Sequence, residues 1–205
     1  MQDPFYNDMD EAVEDAFQCI RAHIADAPYA LFGHSMGSRI VHELVKKVRL
    51  NNCPLPAHIF HSGRGAPHIE RDDEKKYHLM DDAEFRKEVL ELGGTPPELF
   101  ENPELMSLFL PVLRNDFRLV EETLKEDKTV PFEGDITVFL GKEDDLTADQ
   151  CDGWKIHTKQ LCHLYYFEGG HFFFHDETRR LVDLINQTLL DIPYSRSGNH
   201  MINTA

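Results

Sequence analysis

The sequence predicts an α/β fold, a mostly parallel sheet covered by crossover helices, and three observations predict it. Short apolar runs of strand length alternate with longer segments whose apolar residues recur at helical spacing. That rhythm breaks once, from about residue 68 to 130, where the chain turns charged, reads as helical and offers no strand-like run. The length, 205 residues, is that of one ordinary domain able to bury a core. The expected organisation is a single domain over residues 1–205, with a helical lid inserted over the sheet at about 68–130.

The elements follow in order. Met9, Val13, Ala16, Phe17, Ile20 and Ile24 form one helical face, and Pro28 closes that helix. Tyr29–Gly33 is an apolar run of strand length. The next segment, MGSRIVHELVKKV, carries a stripe of Ile40, Val41, Leu44, Val45 and Val48. A second strand is expected at Ala57–His61, ended by SGRGAP. Strand signals resume at Ile136–Leu140, before Gly141, and at Leu164–Phe167, before Gly169-Gly170. A final helix is expected from about Asp176 to Leu190, with Asp176 as N-cap and Leu181, Val182, Leu184, Ile185 and Leu189 facing inward. The polar tail Ser195–Ala205 is expected to fray.

Composition excludes several classes of function. A formal net charge of −16 with no Lys/Arg cluster argues against nucleic acid, whose phosphates would be repelled. Acidic residues gather on stretches such as 8–15 and 121–127, which read as solvated helix faces. No apolar run approaches the ~20 residues that span a bilayer, and the first residues are acidic where a signal peptide would be basic. Cys19, Cys53, Cys151 and Cys162 show no paired spacing, so idle thiols in a reducing cytoplasm are expected. His58, His61, His68, His78, His157, His163 and His175 form no metal-site pattern with an acid, so no metal is expected.

The chemistry is concentrated in Gly33-His34-Ser35-Met36-Gly37. A G-x-S-x-G pentapeptide alone means little, but here it joins an apolar strand to an amphipathic helix, the context the motif needs. The glycines permit a turn tight enough to lift the Ser35 hydroxyl above the sheet edge. The helix then points its first amides at the reaction centre, where Met36 N–H can meet a developing oxyanion. A serine nucleophile needs a base and the base an orienting acid, which follow the serine in the order acid, then histidine. Asp144 lies in GKEDD after the third strand, flanked by Glu143 and Asp145, and His171 lies in EGGHFF after the fourth. Loops at the carboxyl ends of parallel strands would bring both to Ser35. His34 reads as a packing and hydrogen-bonding neighbour of the nucleophile.

These residues resemble the type II (proofreading) thioesterases of nonribosomal peptide and polyketide synthetases, of the α/β-hydrolase superfamily. The matching stretches are ALFGHSMG, HSGRGAPH, LELGGTPPELFENPELMSLFLPVLRNDF, VFLGKEDDLTADQCDGWKIHT and FEGGHFF, spanning about Phe17 to Leu190. The resemblance implies Ser35 as nucleophile, Asp144 as acid and His171 as base. It implies removal of stalled acyl groups from the phosphopantetheine arm of acyl or peptidyl carrier proteins, with no cofactor, metal, nucleic acid or membrane involved. The helical stretch would be the lid of an acyl channel. Leu105, Met106, Leu108, Phe109, Leu110, Val112 and Leu113 could line that channel, pack the lid helices, or do both.

Two departures accompany the resemblance. Ser38 stands where the family more often has glycine or alanine, a minor change in the elbow helix. Family members also carry a further strand, a Gly-rich loop and another strand ahead of the equivalent of Asp3-Pro4-Phe5, so an α/β-hydrolase fold with its N-terminal strands missing is expected. That loop would supply the second oxyanion donor. A general carboxylesterase with the same triad, or a truncated non-catalytic relative that only binds an acyl carrier, are the alternative functions.

Overall fold

The computed structural model describes residues 4–25, 27–69, 75–94, 100–122 and 129–192. The tail expected to fray lies outside them, as do residues 70–74, 95–99 and 123–128 of the expected lid. Among the described residues four strands form one parallel sheet in sequential order: β1 (Ala30–His34), β2 (His58–Ser62), β3 (Ile136–Gly141) and β4 (Cys162–Phe167). Leu31 pairs with Ile59, Ile59 with Ile136, and Ile136 with Cys162. Sequential parallel pairing requires every connection to cross back over the sheet, so all four carboxyl ends meet at one edge.

β2 and β3 are buried along their whole length, as central strands covered on both faces must be. On one face Ile136, Val138 and Leu140 pack with Ile59, Val41, Val45 and Trp154 beneath α2 (Met36–Leu50). On the other, Phe60, Phe139 and Phe167 meet Phe173 and Leu181. α1 (Met9–Arg21) is capped by the Asp8 carboxylate, which accepts from Glu11 N at 2.9 Å. Its expected face is the one that packs: Met9, Val13, Phe17 and Ile24 are buried against Leu44 and Val48 of α2.

Between β2 and β3 the longer elements among the described residues are helices, α3 (Asp82–Leu92) and α4 (Pro103–Glu122), preceded by a short turn of helix at Tyr77–Leu79. These helices bury a core of their own: Phe85, Val89, Met106 and Leu110, with Tyr77, Leu113 and Phe117 against it. Glu121, expected on a solvated face, instead turns inward. Its carboxylate accepts from Tyr77 N (2.9 Å) and from His78, because the turn at 77–79 offers amides with no helical partner.

After β3, α5 (Ala148–Asp152) opens with a capping box between Thr147 and Gln150. The last helix, α6 (Thr178–Asp191), differs from expectation at both ends of the argument. A short turn of helix at Phe173–His175 takes up the chain before it, so Glu177 rather than Asp176 stands at the N-cap. Leu181, Leu184 and Ile185 pack toward the sheet, while Val182 and Leu189 lie about 90° round the helix and stay exposed.

Candidate active site

β1 ends at His34, and the chain must reverse within one residue to begin α2 at Met36. Ser35 makes that turn with φ 52° and ψ −116°, a conformation a non-glycine residue holds only when its surroundings enforce it. Two bonds enforce it: Ser35 N donates to Ser62 O at 2.8 Å, and Ser38 N donates to Ser35 O at 3.1 Å. Gly33 is obligatory for a different reason. A Cβ there would overlap the carbonyl of Gly37, because the first turn of α2 folds back onto the strand. Gly37 itself borders open space, so the two glycines of the pentapeptide are not equivalent. The Met36 amide stands at the first position of a 15-residue helix, where backbone N–H groups have no partner within the helix.

The loops after β3 and β4 are joined to each other by main chain. Lys142 N donates to Phe167 O at 2.9 Å and Glu143 N to Gly169 O at 3.0 Å. Gly141 lets the second loop approach so closely that a Cβ would strike the carbonyls of Gly169 and Gly170. This stitching places Asp144 beside His171: Nδ1 of the imidazole lies 3.0 Å from Oδ2 and 3.3 Å from Oδ1. Both side chains are largely buried, 15% exposed for His171 and 9% for Asp144. Of the three consecutive acids only Asp144 turns inward, and Glu143 and Asp145 face solvent. An imidazole that donates from Nδ1 to a carboxylate keeps its lone pair on Nε2, the tautomer a general base requires.

His34 joins the two halves. Its ring lies 4.9 Å from that of His171, which brings that imidazole alongside the residue preceding Ser35. Nδ1 of His34 is 2.9 Å from the Ser62 hydroxyl, and the ring is walled by Phe172, Phe173 and Phe174. Burial, with the neighbouring His171 adding to it, pushes the His34 pKa down to about 4, so this ring stays neutral and cannot compete for the proton His171 would take. Gly63, with φ 58°, completes the nest, since a Cβ there would run into the His34 imidazole.

Ser62 and Gly63 were not singled out from the sequence, although HSG immediately after the second strand was the available signal. Ser38 also does more than its place in the motif suggested. Its hydroxyl is fully buried, 2.9 Å from Nδ1 of His61, and His61 stacks on Trp154 at 3.9 Å. The helical residues expected to line a channel divide in two, with Val112 half-buried between the groups. Met106, Leu110 and Leu113 pack within the helical segment, whereas Leu105, Leu108 and Phe109 are exposed. Among the described residues no group of three His, Cys, Asp or Glu is placed to hold a metal, and no helix is long and apolar enough to cross a membrane.

Comparison with known proteins gives the family of the chain. A family model described as Thioesterase domain matches residues 1–189. The linear gramicidin dehydrogenase LgrE of Brevibacillus parabrevis is 36% identical over 191 residues, covering 91% of this chain and 72% of that protein. Of another curated relative the chain spans 64%. The structure of ClbQ from the colibactin NRPS/PKS pathway superimposes with a TM-score of 0.85 at 32% identity, covering 92% of this chain and 80% of that one. The type II thioesterase BorB from the borrelidin biosynthetic cluster gives 0.77 at 30% identity, covering 89% and 73%. The chain belongs to the thioesterase domain family and has the α/β-hydrolase fold.

Proposed function

We propose that this thioesterase hydrolyses acyl groups from the phosphopantetheine arm of acyl or peptidyl carrier proteins, an editing role in nonribosomal peptide or polyketide biosynthesis carried out in the cytoplasm. The observation that carries the reading is the Asp144–His171 pair held beside the strained turn at Ser35. In this reading Ser35 Oγ attacks the thioester carbonyl while His171 Nε2 accepts its proton. Met36 N–H stabilises the oxyanion of the tetrahedral intermediate. The intermediate collapses, the C–S bond breaks, and His171 returns the proton to the departing pantetheine sulfur. Water, deprotonated by the same imidazole, then cleaves the acyl–Ser35 ester and regenerates the hydroxyl. Asp144 holds the imidazole in its tautomer and offsets its transient charge. The thioester is already activated, so the chemistry calls for no cofactor.

The chain acts as one domain, with the helical segment between β2 and β3 as lid. The exposed side chains of Leu105, Leu108 and Phe109 are suited to the acyl group, and Met106, Leu110 and Leu113 hold the lid helices together. The test is hydrolysis of a short acyl-pantetheine thioester by this chain, with Ser35→Ala as control and a simple ester of the same acyl group alongside. Turnover of the thioester that vanishes in Ser35→Ala is expected. Turnover that survives the substitution overturns the assignment, and preference for the simple ester would favour a general carboxylesterase instead.

A further inference from the structure

Two consecutive glycines end α3, and they are needed for opposite reasons. Gly93 closes the helix in the left-handed conformation, with φ 81°, and a Cβ there would meet nothing. Gly94 lies outside the left-handed range, so its backbone would accept any residue. Yet a Cβ on Gly94 would overlap three atoms of one aromatic ring, Cζ, Cε2 and Cε1 of Phe172. Bare main chain from the helical segment therefore rests directly on that ring.

Phe172 is the residue after His171, and its ring also borders the two histidines at Ser35. It stands edge-on to the His171 imidazole, with centroids 4.9 Å apart and planes at 87°, and lies 5.5 Å from the ring of His34. Phe174 and His175 complete its surroundings at 5.9 and 6.0 Å. One ring thus borders both the helical segment and the two histidines.

We infer that Phe172 is the seat on which the lid closes, a positioning residue that holds His171 in register with Ser35 while Gly94 is docked against it. This rests on the thioesterase reading and extends it. A contact of bare backbone on a ring face involves few atoms and no side chain of the lid, so it forms and parts without repacking either partner. When Gly94 withdraws, one face of the Phe172 ring loses its support and the wall against His171 loosens. When Gly94 returns, the base is braced and that side of the channel is shut. Acyl arms enter in the first condition and react in the second.

The experiment is a cycle of Gly94→Ala, Phe172→Ala and the double variant, with Gly93→Ala as control. Activity on acyl-pantetheine is normalised to Ser35 groups titrated by a small fluorophosphonate. Gly94→Ala is expected to lower kcat by about tenfold with little change in KM, since misplacement of a catalytic group by an ångström costs up to ~10². Phe172→Ala lowers kcat similarly, and the double variant is no worse than Phe172→Ala alone, because the added methyl has nothing left to strike. Gly93→Ala strains the helix end without touching the ring, so its effect adds in full to that of Phe172→Ala. Gly94→Ala with wild-type kcat, or a loss additive with Phe172→Ala, overturns the seat. Wild-type protein without Ser35-dependent turnover overturns the thioesterase reading instead. The same cycle read as thermal unfolding then decides the contact, with non-additivity expected and additivity overturning it.

Discussion

Asp144 and His171 stand on loops fastened to each other by main chain, whereas the helices between β2 and β3 are fastened to the rest of the molecule mainly by side chains. On the sheet, Lys142 and Glu143 amides bond to carbonyls of the neighbouring loop, and Gly141 removes the last Cβ between them. In the helical segment, Arg114 holds the carbonyls of His78 and Met80 and the Asp82 carboxylate, which all belong to the segment itself. Arg118 reaches out to the carbonyls of Tyr6 and Asn7, and Leu119 inserts between α1 and α2. In the proposed function the Asp144–His171 geometry serves proton transfer, and the main-chain bonds that hold it have no rotamers to lose. In the proposed function the cover is the part that moves, and it is built as a small core of its own held by side-chain attachments.

The comparison is tested most severely at the acid. Asp144→Asn should lower kcat by about 10⁴ while leaving the unfolding midpoint almost unchanged, since the stitched loops do not depend on that carboxylate. Steady-state kinetics beside a denaturation curve checks both halves, and a large loss of stability would show the loops to be less independent than described. Phe85→Ala should cost about 3–5 kcal/mol, confined to the helical core. Hydrogen exchange should then show faster amides in α3 and α4 with β2 and β3 protected as before. Uniform loss across both regions would contradict two separate cores.

Acid should act on the sheet side. Burial lowers the pKa of His34 and His58 to about 4 and that of His61 well below the ordinary value of 6.5. Each is neutral in the fold and protonates more readily in the unfolded chain. Their contribution is therefore complete above pH 6.5 and is lost as the pH falls toward 4. The melting temperature should fall over that window, with a shallower slope in His58→Gln, and a slope unchanged by this substitution would remove His58 from the account. The smallest effect is expected at Lys155→Ala. Its pairing with Asp152 is 2.6 Å long but lies at the surface, so the change in stability should stay within about 0.5 kcal/mol.

Much of this was legible in the sequence because parallel strands buried on both faces read as short unbroken apolar runs, and the four expected strands differ from those found by one or two residues. Ser35, Asp144 and His171 could be placed for the same reason, each following such a run. What could not be read depended on tertiary neighbours. Val182 and Leu189 are apolar residues at the margin of a helical face, and only the position of the sheet decides that they stay outside. Glu121 looked like one more surface acid until the turn at 77–79 supplied its donors. Met106 and Leu110 carry the same periodicity as channel-lining residues would, and the partner that buries them, Phe85, lies in another helix.

The hydrogen bond between Ser38 and His61 carries a consequence for how such chains drift. An imidazole buried beneath the elbow helix needs a partner for Nδ1, and Ser38 is the residue that meets it. Replacing the hydroxyl by glycine or alanine would strand that nitrogen at a cost of about 1–3 kcal/mol, and replacing His61 alone would strand the hydroxyl. Neither position can change first without passing through a weakened intermediate. Positions 38 and 61 should therefore change together, and lineages that carry a small apolar residue at the first should carry something other than histidine at the second.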